Sequence, residues 1–119
     1  MNNLFDIACN FSSDRFDNDL NEVIQRAKNN NVTKFLVVSA SLKDAEKVNK
    51  IYQDNKDSCF FTIGVHPHHA NEFDSLSSTE MIKLINKYKP HSVGETGLDF
   101  FRNISSYEEQ LYAFDEQIK

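Results

Sequence analysis

The feature that most constrains this chain is the regular return of short apolar runs. Leu4-Phe5-Asp6-Ile7-Ala8-Cys9, Phe35-Leu36-Val37-Val38-Ser39-Ala40, Phe60-Phe61-Thr62-Ile63-Gly64-Val65 and His91-Ser92-Val93-Gly94 begin at positions 4, 35, 60 and 91. That spacing is close to the repeat of a strand-helix-strand unit, ~30 residues. The second and third runs are nearly continuous rather than alternating, which is how strands covered on both faces read. Helical stripes fill the gaps: Leu20, Val23, Ile24 and Ala27; Leu42, Ala45, Val48 and Tyr52; Met81, Ile82, Ile85 and Tyr88; Leu111, Phe114 and Ile118. Capping-box patterns, Ser41 with Asp44, Ser77 with Glu80 and Ser106 with Glu109, open three of them. The order β-α-β-α-β-α-β-α predicts an α/β chain with a parallel sheet, either an open doubly wound sheet or a barrel.

Composition narrows the classes. The chain has 119 residues and a formal charge of −5, which excludes a protein that coats nucleic acid by charge alone. No apolar run approaches the ~20 residues of a membrane span. The first residues lack the basic and apolar regions of a secretory signal. Cys9 and Cys59 each lie in an apolar run and read as buried free thiols in a reducing compartment, so the expected location is cytoplasmic.

In parallel α/β folds, chemistry gathers at the carboxyl ends of strands. The first strand runs into Asn10, the third into His66-Pro67-His68-His69, and the fourth into Glu95-Thr96-Gly97-Leu98-Asp99. The second ends in Ser39-Ala40-Ser41, read as the cap of the next helix. Glu95 is the sharpest candidate. A carboxylate directly after Val93-Gly94 is costly unless it pairs or meets a cation, and Gly94 and Gly97 flank it as points of close backbone approach. His66 is expected at the sheet mouth. His68 reads equally well as a ligand or as a solvated loop residue, and His69 reads first as a solvated loop residue. Asp99 is read either as a substrate contact or as a turn cap, and Arg102 either as a phosphate contact or as a surface ion pair. Asp6, in the middle of a strand, is expected to face the site or a neighbouring loop.

Phe5 to Phe11, Gly64-Val65-His66-Pro67-His68, Val93-Gly94-Glu95-Thr96-Gly97-Leu98-Asp99-Phe100, and Glu108-Glu109-Gln110 with Ala113-Phe114 together resemble the TatD family of metal-dependent deoxyribonucleases. The resemblance implies a TIM barrel of eight βα units that hydrolyses DNA from the 3′ end with divalent metals. Magnesium is the first expectation, with manganese or zinc as alternatives. It implies Glu95 as a metal ligand and His66 and Asp99 as catalytic or substrate contacts. Many members carry Asp-x-His-x-His on the first strand; here those histidine positions are Ala8 and Asn10, which fits the branch named TatD proper and weakens one metal site. The family's remaining ligands, two histidines and an aspartate, lie on later strands. Residues 1–119 therefore read as the first four βα units of one (β/α)8 domain. The 119-residue chain alone is expected to have no substantial nuclease activity, and the edges of its first and last strands are expected to pair with another chain. A small-molecule amidohydrolase on the same scaffold, or a non-catalytic remnant of a degraded gene, are the alternatives.

Overall fold

The computed structural model describes residues 2–119. Four parallel strands, β1 (Leu4–Cys9), β2 (Val32–Val37), β3 (Cys59–Ile63) and β4 (Ser92–Val93), lie in the order β1-β2-β3-β4. Between and after them come four helices: α1 (Leu20–Asn29), α2 (Ala45–Asp54), α3 (Ser77–Tyr88) and α4 (Tyr107–Ile118). Short 3₁₀ segments precede α1, α2 and α3, of three, three and six residues. This strand order settles the choice between barrel and open sheet. A doubly wound sheet reverses its order and sends helices to both faces. Here each strand follows its predecessor without reversal, so right-handed crossovers stack the helices on one side and the sheet curls as half of a TIM barrel.

The core lies under those helices. Phe35 and Val37 of β2 and Cys59, Phe61 and Ile63 of β3 pack with Ile24 of α1, Val48 and Ile51 of α2 and Met81 of α3. Both cysteines are buried and free, and burial pushes both thiols above their usual range. The opposite face of the sheet is more open than continuous apolar runs predict. Leu36 and Phe60 pair in register and are only half-buried. Phe5 and Ile7 of β1 are exposed on that face, and Leu4 and Val93 are exposed on the two edge strands.

Two helices seat differently from their apolar stripes. On α3, Met81 is buried and Ile85 and Tyr88 pack against the core, but Ile82 is exposed and Leu84 takes its place. Its cap also sits earlier than the Ser77–Glu80 pattern. Oδ1 of Asp74 accepts the N–H groups of Leu76 and Ser77, and Oγ of Ser77 accepts the N–H of Asp74. On α4 the stripe is turned outward at both ends: Leu111 and Ile118 are exposed and Phe114 is half-buried, while Gln110, Ala113 and Gln117 are buried. The boxes at Ser41–Asp44 and Ser106–Glu109 form as expected.

Candidate functional site

The site is assembled where β2, β3 and β4 end. β4 is only two residues long, and side-chain hydroxyls extend its anchorage. Ser39, fully buried, donates from Oγ to the carbonyl of Thr62, and its N–H donates to Oγ1 of Thr62. Oγ1 of Thr62 in turn donates to the carbonyl of Gly94. The Glu95 N–H donates to the carbonyl of Ser39 at 2.8 Å, and the Gly94 N–H to that of Ile63 at 3.0 Å. These bonds carry Glu95 into the sheet mouth.

Gly64 makes the approach possible. A Cβ built on it would lie 2.6 Å from Gly94 C and 2.7 Å from the Glu95 carbonyl oxygen, closer than real Cβ contacts come. The close approach expected at Gly94 and Gly97 is therefore made at Gly64. A Cβ at Gly94 would meet nothing nearer than 3.9 Å, and one at Gly97 nothing within 4 Å. Those two glycines are required by backbone angle instead, with φ of 159° and 151°.

His66 lies beside this strand end. Its N–H donates to the carbonyl of Ala40, which ties β3 to β2. Nδ1 of His66 accepts the His68 N–H at 3.0 Å, leaving Nε2 to carry the proton of the neutral ring. Partial burial lowers the His66 pKa, against the opposing pull of the Glu95 carboxylate. The His66 and His68 rings meet edge to face with centroids 4.3 Å apart. His68 reaches across to the β4 loop, with Nε2 2.6 Å from Oδ2 of Asp99. Asp99 also caps its own turn: Oδ1 accepts the N–H groups of Phe101 and Arg102, and Oδ2 lies 3.3 Å from a guanidinium nitrogen of Arg102. The Arg102 N–H, followed by His68, holds the Asp99 carboxyl down at about 2.

The two loops are clamped from behind by α4. Oε1 of Gln110 accepts the Asp99 N–H at 2.7 Å, and its Nε2 donates to the carbonyls of Asp99 and Ser105. Seven residues on, Oε1 of Gln117 accepts the Val65 N–H at 2.7 Å and its Nε2 donates to the Val65 carbonyl. A buried amide that satisfies both groups of a backbone residue explains why α4 turns glutamines inward. Gln110 belongs to the Glu108-Glu109-Gln110 stretch that carries the family resemblance, but the apolar stripe of α4 marks neither glutamine as buried.

Other candidates lie apart from this centre. Asn10, Ser13, Ser41, Asp44 and His69 help to line a polar cleft of about 330 Å³ at the ends of β1 and β2. His69 pairs with Glu72 at 3.2 Å. Asp6 is exposed and faces neither the site nor a neighbouring loop; its Oδ1 accepts the N–H of Ala8 on its own strand. The Thr96 hydroxyl, next to Glu95, is buried and has no partner among the described residues. No three His, Cys, Asp or Glu side chains among the described residues stand close enough together to hold a metal ion. No helix of the described residues is long and apolar enough to cross a membrane.

Comparison with known proteins places this geometry. A 3′-5′ ssDNA/RNA exonuclease TatD from Pantoea ananatis is 37% identical over 115 residues, which are 97% of this chain and 44% of that protein. A TatD family hydrolase from Entamoeba histolytica superposes with a TM-score of 0.84 at 29% identity, over 98% of this chain and 44% of that one. An uncharacterized amidohydrolase from Saccharomyces cerevisiae superposes with a TM-score of 0.86 at 26% identity, over 99% and 43%. The chain thus spans less than half the length of the proteins it matches. The model of the TatD related DNase family matches residues 5–119, the span that carries every strand end described above except the first residue of β1, and the chain belongs to that family.

Proposed function

We propose that this half-barrel supplies one wall of the active site of a metal-dependent nuclease that removes nucleotides from the 3′ end of single-stranded nucleic acid, in the cytoplasm. The observation that carries the reading is the packing of the Gly94–Glu95 peptide against Gly64. It brings one carboxylate to the sheet mouth beside His66 and the His68–Asp99 pair. The names of the relatives, 3′-5′ ssDNA/RNA exonucleases, support the substrate class and the polarity.

The residues present do not by themselves fit a divalent ion. A hard cation of this kind takes about six oxygen ligands in a fixed geometry, and residues 2–119 bring no group of three suitable donors together. Glu95 is proposed as one ligand of a magnesium ion, with the other ligands coming from outside these residues. What this chain's own residues do is electrostatic and positional. Glu95 holds negative charge at the mouth. Burial favours the neutral His66 ring, and the His68 N–H on its Nδ1 leaves the ring proton on Nε2. Asp99, ionised at all ordinary pH, fixes the His68 ring.

The test is completion of the barrel. The chain alone is expected to leave a labelled single strand intact. A chimera that joins it to the remaining residues of the Pantoea ananatis relative is expected to release nucleotides from the 3′ end when magnesium or manganese is added. Glu95→Ala in the chimera is expected to abolish that release; undiminished release would remove Glu95 from the reading. The likeness to the yeast amidohydrolase favours a second reading, amide hydrolysis, which a panel of small amide substrates given to the same chimera would decide.

A further inference from the structure

The turn that follows Asp99 carries an aromatic group with no structural employment. Phe101 is 97% exposed, the most exposed large apolar side chain among the described residues. It makes no ring contact among the described residues, whereas its neighbour Phe100 packs on Tyr107 with tilted rings and centroids 4.8 Å apart. The turn beneath it is tied down, since Oδ1 of Asp99 accepts the N–H groups of both Phe101 and Arg102. An aromatic ring fully in water on an anchored turn, six residues after the strand-end glutamate, offers its whole flat face to a ligand.

We propose that Phe101 is a stacking platform for one unpaired base of a single-stranded nucleic acid, with Arg102 meeting the adjoining phosphate. This rests on the nuclease reading above. The occupant follows from three features. Every nucleobase offers a flat π-face, and stacking on an aromatic side chain needs no particular sequence. The formal charge of −5 means that binding to a polyanion cannot come from charge alone; stacking does not depend on charge. Arg102, whose side chain is 65% exposed, spends one nitrogen on Asp99 and keeps its remaining donors for solvent or a phosphate. A base inside a duplex is already stacked on both faces, so the platform selects single strands.

The chain has no tryptophan, so Phe101→Trp places a single fluorophore at the proposed contact. A short oligothymidylate is expected to quench that fluorescence, and an abasic oligonucleotide of equal length or a blunt duplex is not. By anisotropy of a labelled oligothymidylate, Phe101→Ala is expected to weaken binding about 5- to 20-fold with an unchanged salt dependence. Arg102→Ala is expected to weaken binding with a shallower salt dependence. Phe101 is fully exposed, so both Phe101 variants are expected to melt like the parent. Equal quenching by the abasic strand, or unchanged affinity of Phe101→Ala, overturns the stacking site and leaves the nuclease reading in place. A parent chain that binds no single strand overturns the stacking site as well, and the nuclease reading then falls only if the completed barrel is also inert.

Discussion

Nε2 of His68 stands 2.6 Å from Oδ2 of Asp99, joining the loop after β3 to the loop after β4 across 31 residues of sequence. The Asp99 carboxyl is held at about 2 by the Arg102 N–H first and by His68 next, against an unfolded value of about 3.9. A folded pKa below the unfolded one adds stability that is complete above about pH 4 and is lost as the pH falls toward 2. The unfolding midpoint of the chain is therefore expected to drop across that window, and Asp99→Asn is expected to flatten the drop. Asp57, Asp74, Glu72 and Glu116 also have lowered pKa values, so the informative quantity is the difference between the two curves. Parallel curves would mean that the pairing does not act on stability.

The two α4 glutamines give a prediction that a helical wheel gets backwards. Gln117→Leu adds apolar volume at a buried position but strands the N–H and carbonyl of Val65. Each unsatisfied buried group costs about 1–3 kcal/mol, so a loss of at least ~2 kcal/mol is expected in urea unfolding. Leu111→Ser, on the stripe that reads as the core face, is expected to change stability by no more than about 0.5 kcal/mol. The opposite ranking would place α4 the other way round.

Gly64→Ala introduces a single methyl group where the Gly94–Glu95 peptide lies 2.6–2.7 Å away. The neighbouring atoms are backbone and cannot swing aside, so the strands must separate. Overpacking of this kind costs about 1–3 kcal/mol. In the chimera the variant is expected to lose activity. Activity equal to the parent's would show that the close approach does not position Glu95.

The open face of the sheet predicts association. Phe5 and Ile7 are exposed on that face, Leu4 and Val93 are exposed on the edge strands, and β1 and β4 each present an unpaired edge among the described residues. Sedimentation of the purified chain is expected to show a dimer or larger species at micromolar concentration, and Ile7→Lys is expected to shift it toward monomer. A monomer that melts cooperatively would contradict this.

The sequence by itself determined the alternation of strands and helices, the spacing of the repeat, the caps at Ser41 and Ser106, and the segments whose ends carry chemistry. These are local properties: periodicity, turn residues and hydroxyl–carboxylate pairs act over a few residues. Periodicity left open whether the sheet curls with its helices on one side; the family resemblance implied that it does, and the strand order bears it out, because the curl depends on which strand sits beside which. The tertiary structure alone decided that α4 buries Gln110 and Gln117. Their value comes from backbone groups at Asp99 and Val65, which lie 11 and 52 residues away in sequence. It made Gly64 the contact that lets Glu95 in, and it made His68, which reads in sequence either as a ligand or as a solvated loop residue, the partner of Asp99. An apolar stripe records which side chains avoid water, but not which backbone groups a neighbouring loop leaves unsatisfied, and the second quantity set the face of α4.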